Sequence, residues 1–285
     1  MTSSLHAASC CGGGASTTSL ITNNDKSQFT TSLLYSSVQA TARTDGKWQK
    51  FEGEKIKEIL TLEGVSILSD RTQIGVSAPF QRNSYEFGSE RVDGSGIGDV
   101  KVSFGYEAIP EWTFSRYRPK VYVYTQLQLP TGRSIYDTQS LEAVDSTGMG
   151  LWGMGIGSIA LKSIKKWDFL GSLFIQKLLD RDFNGTHIKP GEVYQASLGA
   201  GFNLKDWRIG TQVMAYLQDS GETSGSVSSK IPIERYVSST LLASYMVRDD
   251  LSVTASYSDQ TLVGKPINTQ LTRGVFLSLQ KRWER

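Results

Sequence analysis

Apolar and polar residues alternate one by one along several stretches of the chain. Val100, Val102, Phe104 and Tyr106 share one side, and Asp99, Lys101, Ser103, Gly105 and Glu107 the other. A period of two belongs to an extended strand with one oily face. The same division separates Tyr194, Ala196, Leu198, Ala200, Phe202 and Leu204 from Gln195, Ser197, Gly199, Gly201 and Asn203. It also sets Leu251, Val253, Ala255 and Tyr257 against Ser252, Thr254, Ser256 and Ser258. Less regular strands are predicted at 29–43, 55–68, 72–81, 119–130, 150–163, 167–179, 207–218, 235–247 and 269–283, about twelve in all. Strands near ten residues or longer are long for a soluble sandwich and suit a tilted strand crossing a bilayer.

The connections sort by length. Ser69-Asp70-Arg71, Lys165-Lys166, Lys205-Asp206 and Arg248-Asp249-Asp250 are tight and charged, whereas 81–98, 130–148, 180–192 and 218–234 are long and polar. Short and long alternate, except that 109–118 should be short by parity and is not. An antiparallel up-and-down transmembrane β-barrel sorts its loops this way, with short periplasmic turns and long outer loops. A soluble lipocalin-like barrel or β-sandwich also alternates, but gives its loops no reason to sort. The pattern predicts an all-β chain: a flexible periplasmic tail with Cys-Cys-Gly-Gly-Gly over 1–27, and a barrel over 28–285.

Tryptophan placement agrees. Trp112, Trp167, Trp207 and Trp283 fall at the predicted periplasmic strand ends, and Trp48 and Trp152 near the opposite rim. An amphipathic indole is favoured at a membrane interface, so these six are the expected aromatic girdle, in contact with outer-membrane lipid.

Composition changes the picture in three places. The 28 glycines, 12 tyrosines and 11 phenylalanines beside 7 prolines lean toward β structure. A mean hydropathy of -0.26 does not argue against a membrane barrel, because polar lumen faces average away the lipid faces. No run of about 18 apolar residues exists to make a transmembrane helix. With 30 basic and 28 acidic residues dispersed along the chain, no basic face for nucleic acid is formed.

Candidate chemistry is sparse. Gly94, Gly96 and Gly98 loosely echo a dinucleotide fingerprint, but they open a strand rather than a helix and are read as the close of an outer loop. Gly153, Gly155 and Gly157 face inward on a predicted strand, either to thin the wall for a solute or to relieve curvature. The only histidines are His6 and His187, and no serine can be paired with either, so no enzyme, cofactor or metal is expected. His6, Cys10 and Cys11 could form a soft-metal or lipidation site in the tail, although adjacent cysteines chelate one ion poorly and a plain processed tail is simpler. The tail lacks the basic start and apolar middle of a signal peptide and is similar only to the end of one, so an export signal is expected to have been removed.

Asp99, Lys101, Glu107, Gln126, Gln128, Gln195, Arg208 and Gln212 are the polar residues projected into the lumen. They either brace it or set the selectivity of a pore.

Three fragments, in order, carry a family resemblance: the run Ser69 to Phe80 (SDRTQIGVSAPF), Gly96-Ile97-Gly98-Asp99-Val100, and Leu127-Gln128-Leu129-Pro130-Thr131-Gly132. Together they resemble the outer-membrane proteins of the phenol meta-degradation type. The resemblance implies a bacterial outer-membrane barrel passing small, often hydrophobic, compounds, with no catalytic residues to carry over. The Cys-Cys-Gly tail departs from that pattern, and the assembly signal of a final aromatic is displaced to Trp283 by Glu284 and Arg285. The expected function is a passive channel for small solutes. The alternative is a barrel with a blocked lumen, homo-oligomeric or binding a protein partner through its loops or tail.

Overall fold

The computed structural model describes residues 20–22, 25–110, 117–138, 140–225 and 228–284. Twelve strands of these residues build one wall: β1 (Asp25–Ala42), β2 (Glu54–Ser69), β3 (Thr72–Phe87), β4 (Lys101–Ile109), β5 (Lys120–Gln128), β6 (Gly153–Ile164), β7 (Trp167–Leu178), β8 (Val193–Leu204), β9 (Trp207–Gln218), β10 (Glu234–Arg248), β11 (Leu251–Asp259) and β12 (Thr269–Glu284). Each pairs antiparallel with the next in sequence, and β12 returns to β1 from Asp25 opposite Glu284 to Ala42 opposite Thr269, with register shifts between Asp25 and Ser27 and between Val38 and Ala40. Closure leaves no wall strand with an unpaired edge, the condition for a sheet to stand in hydrocarbon.

The alternation read from the sequence becomes two surfaces. Leu173, Leu198 and Leu241 project outward in mid-strand and are 61%, 73% and 64% exposed, an apolar belt that only lipid would cover. Opposite them Ser172 and Ser197 face the lumen and bond each other at 2.6 Å. The turns at Lys165-Lys166 and Lys205-Asp206 are tight, with Lys165 and Lys205 at φ 57° and 47°. Trp167 meets Phe202 at 5.0 Å between ring centroids and Trp207 meets Tyr245 at 4.8 Å, so cross-strand aromatic pairs stand at the turn end of the wall. Trp283 is half exposed at the same end, and Trp48 and Trp152 stand toward the other. Trp112, His6, Cys10 and Cys11, with the centre of the long 109–118 connection, lie outside the described residues.

The outer connections depart from the polar loops expected of them. Glu90–Ile97 is a strand paired with β3 from Phe80 to Phe87, so Gly94 and Gly96 belong to the returning arm of a hairpin that extends the wall, not to a loop. Short strands Arg181–Phe183, Thr186–Lys189, Gly221–Gly225 and Ser229–Ile231, from two connections, form a separate four-stranded sheet over the mouth. These pieces are three to eight residues long and mostly polar, so periodicity alone does not mark them.

Candidate functional site

The lumen is divided into a filled half and an open half. On the filled side, the inward glycines of β6 leave gaps that neighbouring side chains occupy. A Cβ at Gly157 would lie 2.5 Å from Cζ of Tyr124, and one at Gly155 would lie 2.4 Å from Cζ of Phe174. Tyr124 and Phe174 stack across these gaps at 5.8 Å, with planes 9° apart. The expectation of a wall thinned for a solute is therefore corrected: the space at these glycines is taken by an aromatic core.

Leu20 completes that core. It comes from the chain ahead of β1 and is buried with Tyr122, Tyr124, Ile159, Leu170 and Phe174. Gln73, near the periplasmic start of β3, fixes the segment: Ile21 N donates to Gln73 Oε1 at 2.7 Å, and Gln73 Nε2 donates to the Ile21 carbonyl at 3.4 Å. Lys120 donates to the Thr22 carbonyl at 3.0 Å while forming an ion pair with Glu107 at 3.3 Å. The periplasmic opening on this side is thus occupied by the chain itself.

Nearby, Arg208 and Asp168 pair inside the wall at 3.3 Å. Asp168 also accepts from Ser163 Oγ and Asn203 Nδ2, each at 2.6 Å. A Cβ at Gly201 would meet the Arg208 guanidinium at 2.5 Å, so that glycine makes the pair sterically feasible. Gln212 faces inward between Gly199 and Thr240.

At the outer end the connection 129–152 folds into the mouth around Asp99. Asp99 Oδ2 accepts from Met149 N at 2.6 Å and Gln128 Nε2 at 3.2 Å, and Oδ1 accepts from Gly132 N at 3.0 Å. Gly150 N approaches both oxygens at 3.3 Å. Gln176 Nε2 in turn donates to Gln128 Oε1 at 3.0 Å. Asp99 is therefore a structural anchor rather than a free wall charge, and it does not pair with Lys101.

The hairpin glycines form the seat for the same loop. A Cβ at Gly94 would stand 2.4 Å from the Val144 carbonyl, and one at Gly98 2.9 Å from the Thr147 carbonyl. Thr147 Oγ1 donates to the Ile97 carbonyl at 2.6 Å, and Asn83 Nδ2 donates to the Val144 and Ser146 carbonyls at 2.9 and 2.7 Å. Glu142 and Ala143 sit at φ 53° and 52°, uncommon for residues with a Cβ, and Lys55 holds the Glu142 carbonyl at 2.9 Å. Ser140 and Thr138 donate their hydroxyls to Asp145, which also pairs with Arg133 at 3.0 Å. Those hydroxyl donors hold the Asp145 carboxyl below the usual carboxylate range.

The remaining half of the lumen is a cavity of about 510 Å³. Its lining comes most heavily from β1, β2, β3 and β12, with residues from every other wall strand except β6, and extends from Lys57 and Gln81 at the outer end to Gln28 and Ser252 at the periplasmic end. Lys101, Gln126, Gln128 and Gln195 reach it, together with Asp99, the Asp99-anchored Met149 and the neighbouring Gly148. Glu107, Arg208 and Gln212 lie outside its lining. The sequence reading did not single out Leu20, Tyr124 or Phe174. The signal for Tyr124 and Phe174 was the set of inward glycines on β6, each facing a large residue on a neighbouring strand, and Leu20 had none of that kind.

A family model described as the putative MetA-pathway of phenol degradation matches residues 36–262, most of the chain. The chain belongs to this family. Among solved structures, it is similar to an outer membrane channel from Pseudomonas putida F1, with a TM-score of 0.76, 14% identity, and coverage of 92% of this chain and 97% of that one. The transport unit of the autotransporter AIDA-I from Escherichia coli gives 0.53 at 9% identity, covering 94% and 93%. The translocator domain of the autotransporter NalP from Neisseria meningitidis gives 0.51 at 10%, covering 92% and 90%. At such identities the likeness is one of fold. No curated protein matches the chain in sequence. Closed barrel, apolar belt and family together make this an outer-membrane protein.

In this member of the family the three signature fragments meet physically. Thr131 Oγ1 donates to the Gly98 carbonyl at 2.6 Å and accepts from Val100 N at 2.9 Å, and Gly98 N donates to the Pro79 carbonyl at 2.7 Å. The fragments are the parts of one loop anchor, which explains their order in sequence without any catalytic role.

Proposed function

We propose that the protein is a passive channel of the outer membrane for small solutes, which cross through the open half of the lumen. The cavity carries this reading, because its lining reaches from Lys57 and Gln81 near the outer end to Gln28 and Ser252 near the periplasmic end, beside the core that Leu20 completes. Serine, threonine and glutamine predominate along it, so a solute exchanges water for wall hydrogen bonds as it moves. No catalytic step is assigned: His187 stands in the outer sheet against Asp182 at 2.8 Å and Asp180 at 3.7 Å. Neither contact is a nucleophile for it to activate.

Purified full-length protein, verified as folded by heat-modifiable migration, is reconstituted into liposomes for osmotic swelling. Swelling in small sugars and amino acids at rates proportional to protein content is the expected outcome. Vesicles that stay tight would favour a barrel with a closed lumen that binds a partner through its loops.

A further inference from the structure

The lumen cavity combines a cation on which no carboxylate acts, Lys57, with an apolar stripe. Along the inner face of β2, Lys55 is held by Glu142 at 3.4 Å. Lys57, two residues further in, lines the cavity and has no carboxylate within ion-pair distance among the described residues. Its cross-strand neighbours, Ser36 on β1 and Asn83 on β3, are neutral. Lys101, which lines the same cavity, also has no carboxylate within ion-pair distance among the described residues, but the carboxylates of Asp99 and Glu63 lie near enough to act on its charge, and none does so at Lys57.

Immediately below Lys57 the wall becomes apolar. Leu34 lies opposite Phe276 on one side and Ile59 on the other, so three side chains from β12, β1 and β2 form a continuous stripe inside the cavity. Ile59 and Lys57 share a face at i and i+2, about 7 Å apart along the strand. That separation matches a six-membered ring carrying one acid group. At the periplasmic end of the same wall the next inward cation without a carboxylate partner among the described residues is Arg282. Its Nη2 donates to the Asp249 carbonyl at 2.9 Å, and its Nε has no partner.

We propose that this channel preferentially passes small organic anions with a compact apolar body, typified by a monocyclic aromatic acid. Lys57 meets the anionic group, while Leu34, Ile59 and Phe276 receive the ring. The inference rests on the channel reading and narrows it to a solute class.

The test uses full-length protein in planar bilayers. Reversal potentials are measured under gradients of potassium benzenesulfonate and of phenyltrimethylammonium chloride, after conductance in potassium chloride has been recorded. The wild type should favour the aromatic anion over the aromatic cation several-fold. Lys57→Gln should bring that ratio close to one, and Lys57→Arg should keep it. Equal or cation-favouring permeability in the wild type would overturn the solute class and leave the channel standing. A ratio unmoved in Lys57→Gln would overturn the role of Lys57. Absence of any conductance in potassium chloride would overturn the channel reading, and this inference with it.

Discussion

The Asp99 carboxylate accepts from the backbone amides of Gly132, Met149 and Gly150 and from the Gln128 side chain. Three of these donors belong to the loop, so removing the acceptor strands them where water is scarce, at roughly 1–3 kcal/mol for each buried donor left unmatched. Asp99→Ala should therefore release the 129–152 loop from the mouth. Limited proteolysis should cut that loop in the variant well before it cuts the wild type, with the barrel itself resistant. The glycines of β6 make a second prediction of the same kind. A methyl at Gly157 would stand 2.5 Å from the Tyr124 ring in a core already filled, and overpacking of this type costs about 1–3 kcal/mol. Gly157→Ala should lower the midpoint of urea unfolding, whereas a glycine that thinned the wall for a solute would accept the methyl freely.

The twelve wall strands were legible in the sequence because each is buried on neither face alone: one side meets lipid and the other the lumen, so the period of two survives. Val102, Phe104 and Tyr106 against Lys101, Ser103 and Glu107 is the clearest case, and β4 stands where that pattern placed it. The hairpin arm Glu90–Ile97 was not legible, since its alternate residues are glycines chosen by the approach of Val144 and Thr147, a contact between segments about fifty residues apart in sequence. The division of the lumen was hidden for a related reason: Leu20 carries no periodicity, and Tyr124 and Phe174 read as ordinary strand aromatics until their glycine partners are seen. At the scale of the loop, pH makes a further prediction. The Asp145 carboxyl is held below its ordinary value by Ser140 and Thr138, so its stabilisation is present above the unfolded value of about 3.9 and is lost as pH falls through the folded one. Proteolysis of the 133–147 segment by an acid-active protease should accelerate below about pH 4, and Asp145→Asn should show that faster cleavage at neutral pH.

On the scale of the whole molecule, the barrel is a rigid wall around two unlike halves. The β5–β6–β7 side is filled by an aromatic core and by Leu20, Ile21 and Thr22, and the β1–β2–β12 side borders a cavity of mixed polar and apolar lining. Conductance through such a channel should be small, and should grow if the segment ahead of β1 is expelled. Leu20→Asp places a charge among Tyr122, Ile159, Leu170 and Phe174 with no partner to receive it, which disfavours the docked position without altering the wall. Single-channel recording of wild type and Leu20→Asp in planar bilayers is the most direct test of a half-filled, conducting lumen. The account predicts narrow, reproducible openings for the wild type and clearly larger ones for the variant. Folded wild-type protein that never conducts, or a variant with unchanged steps, would contradict it.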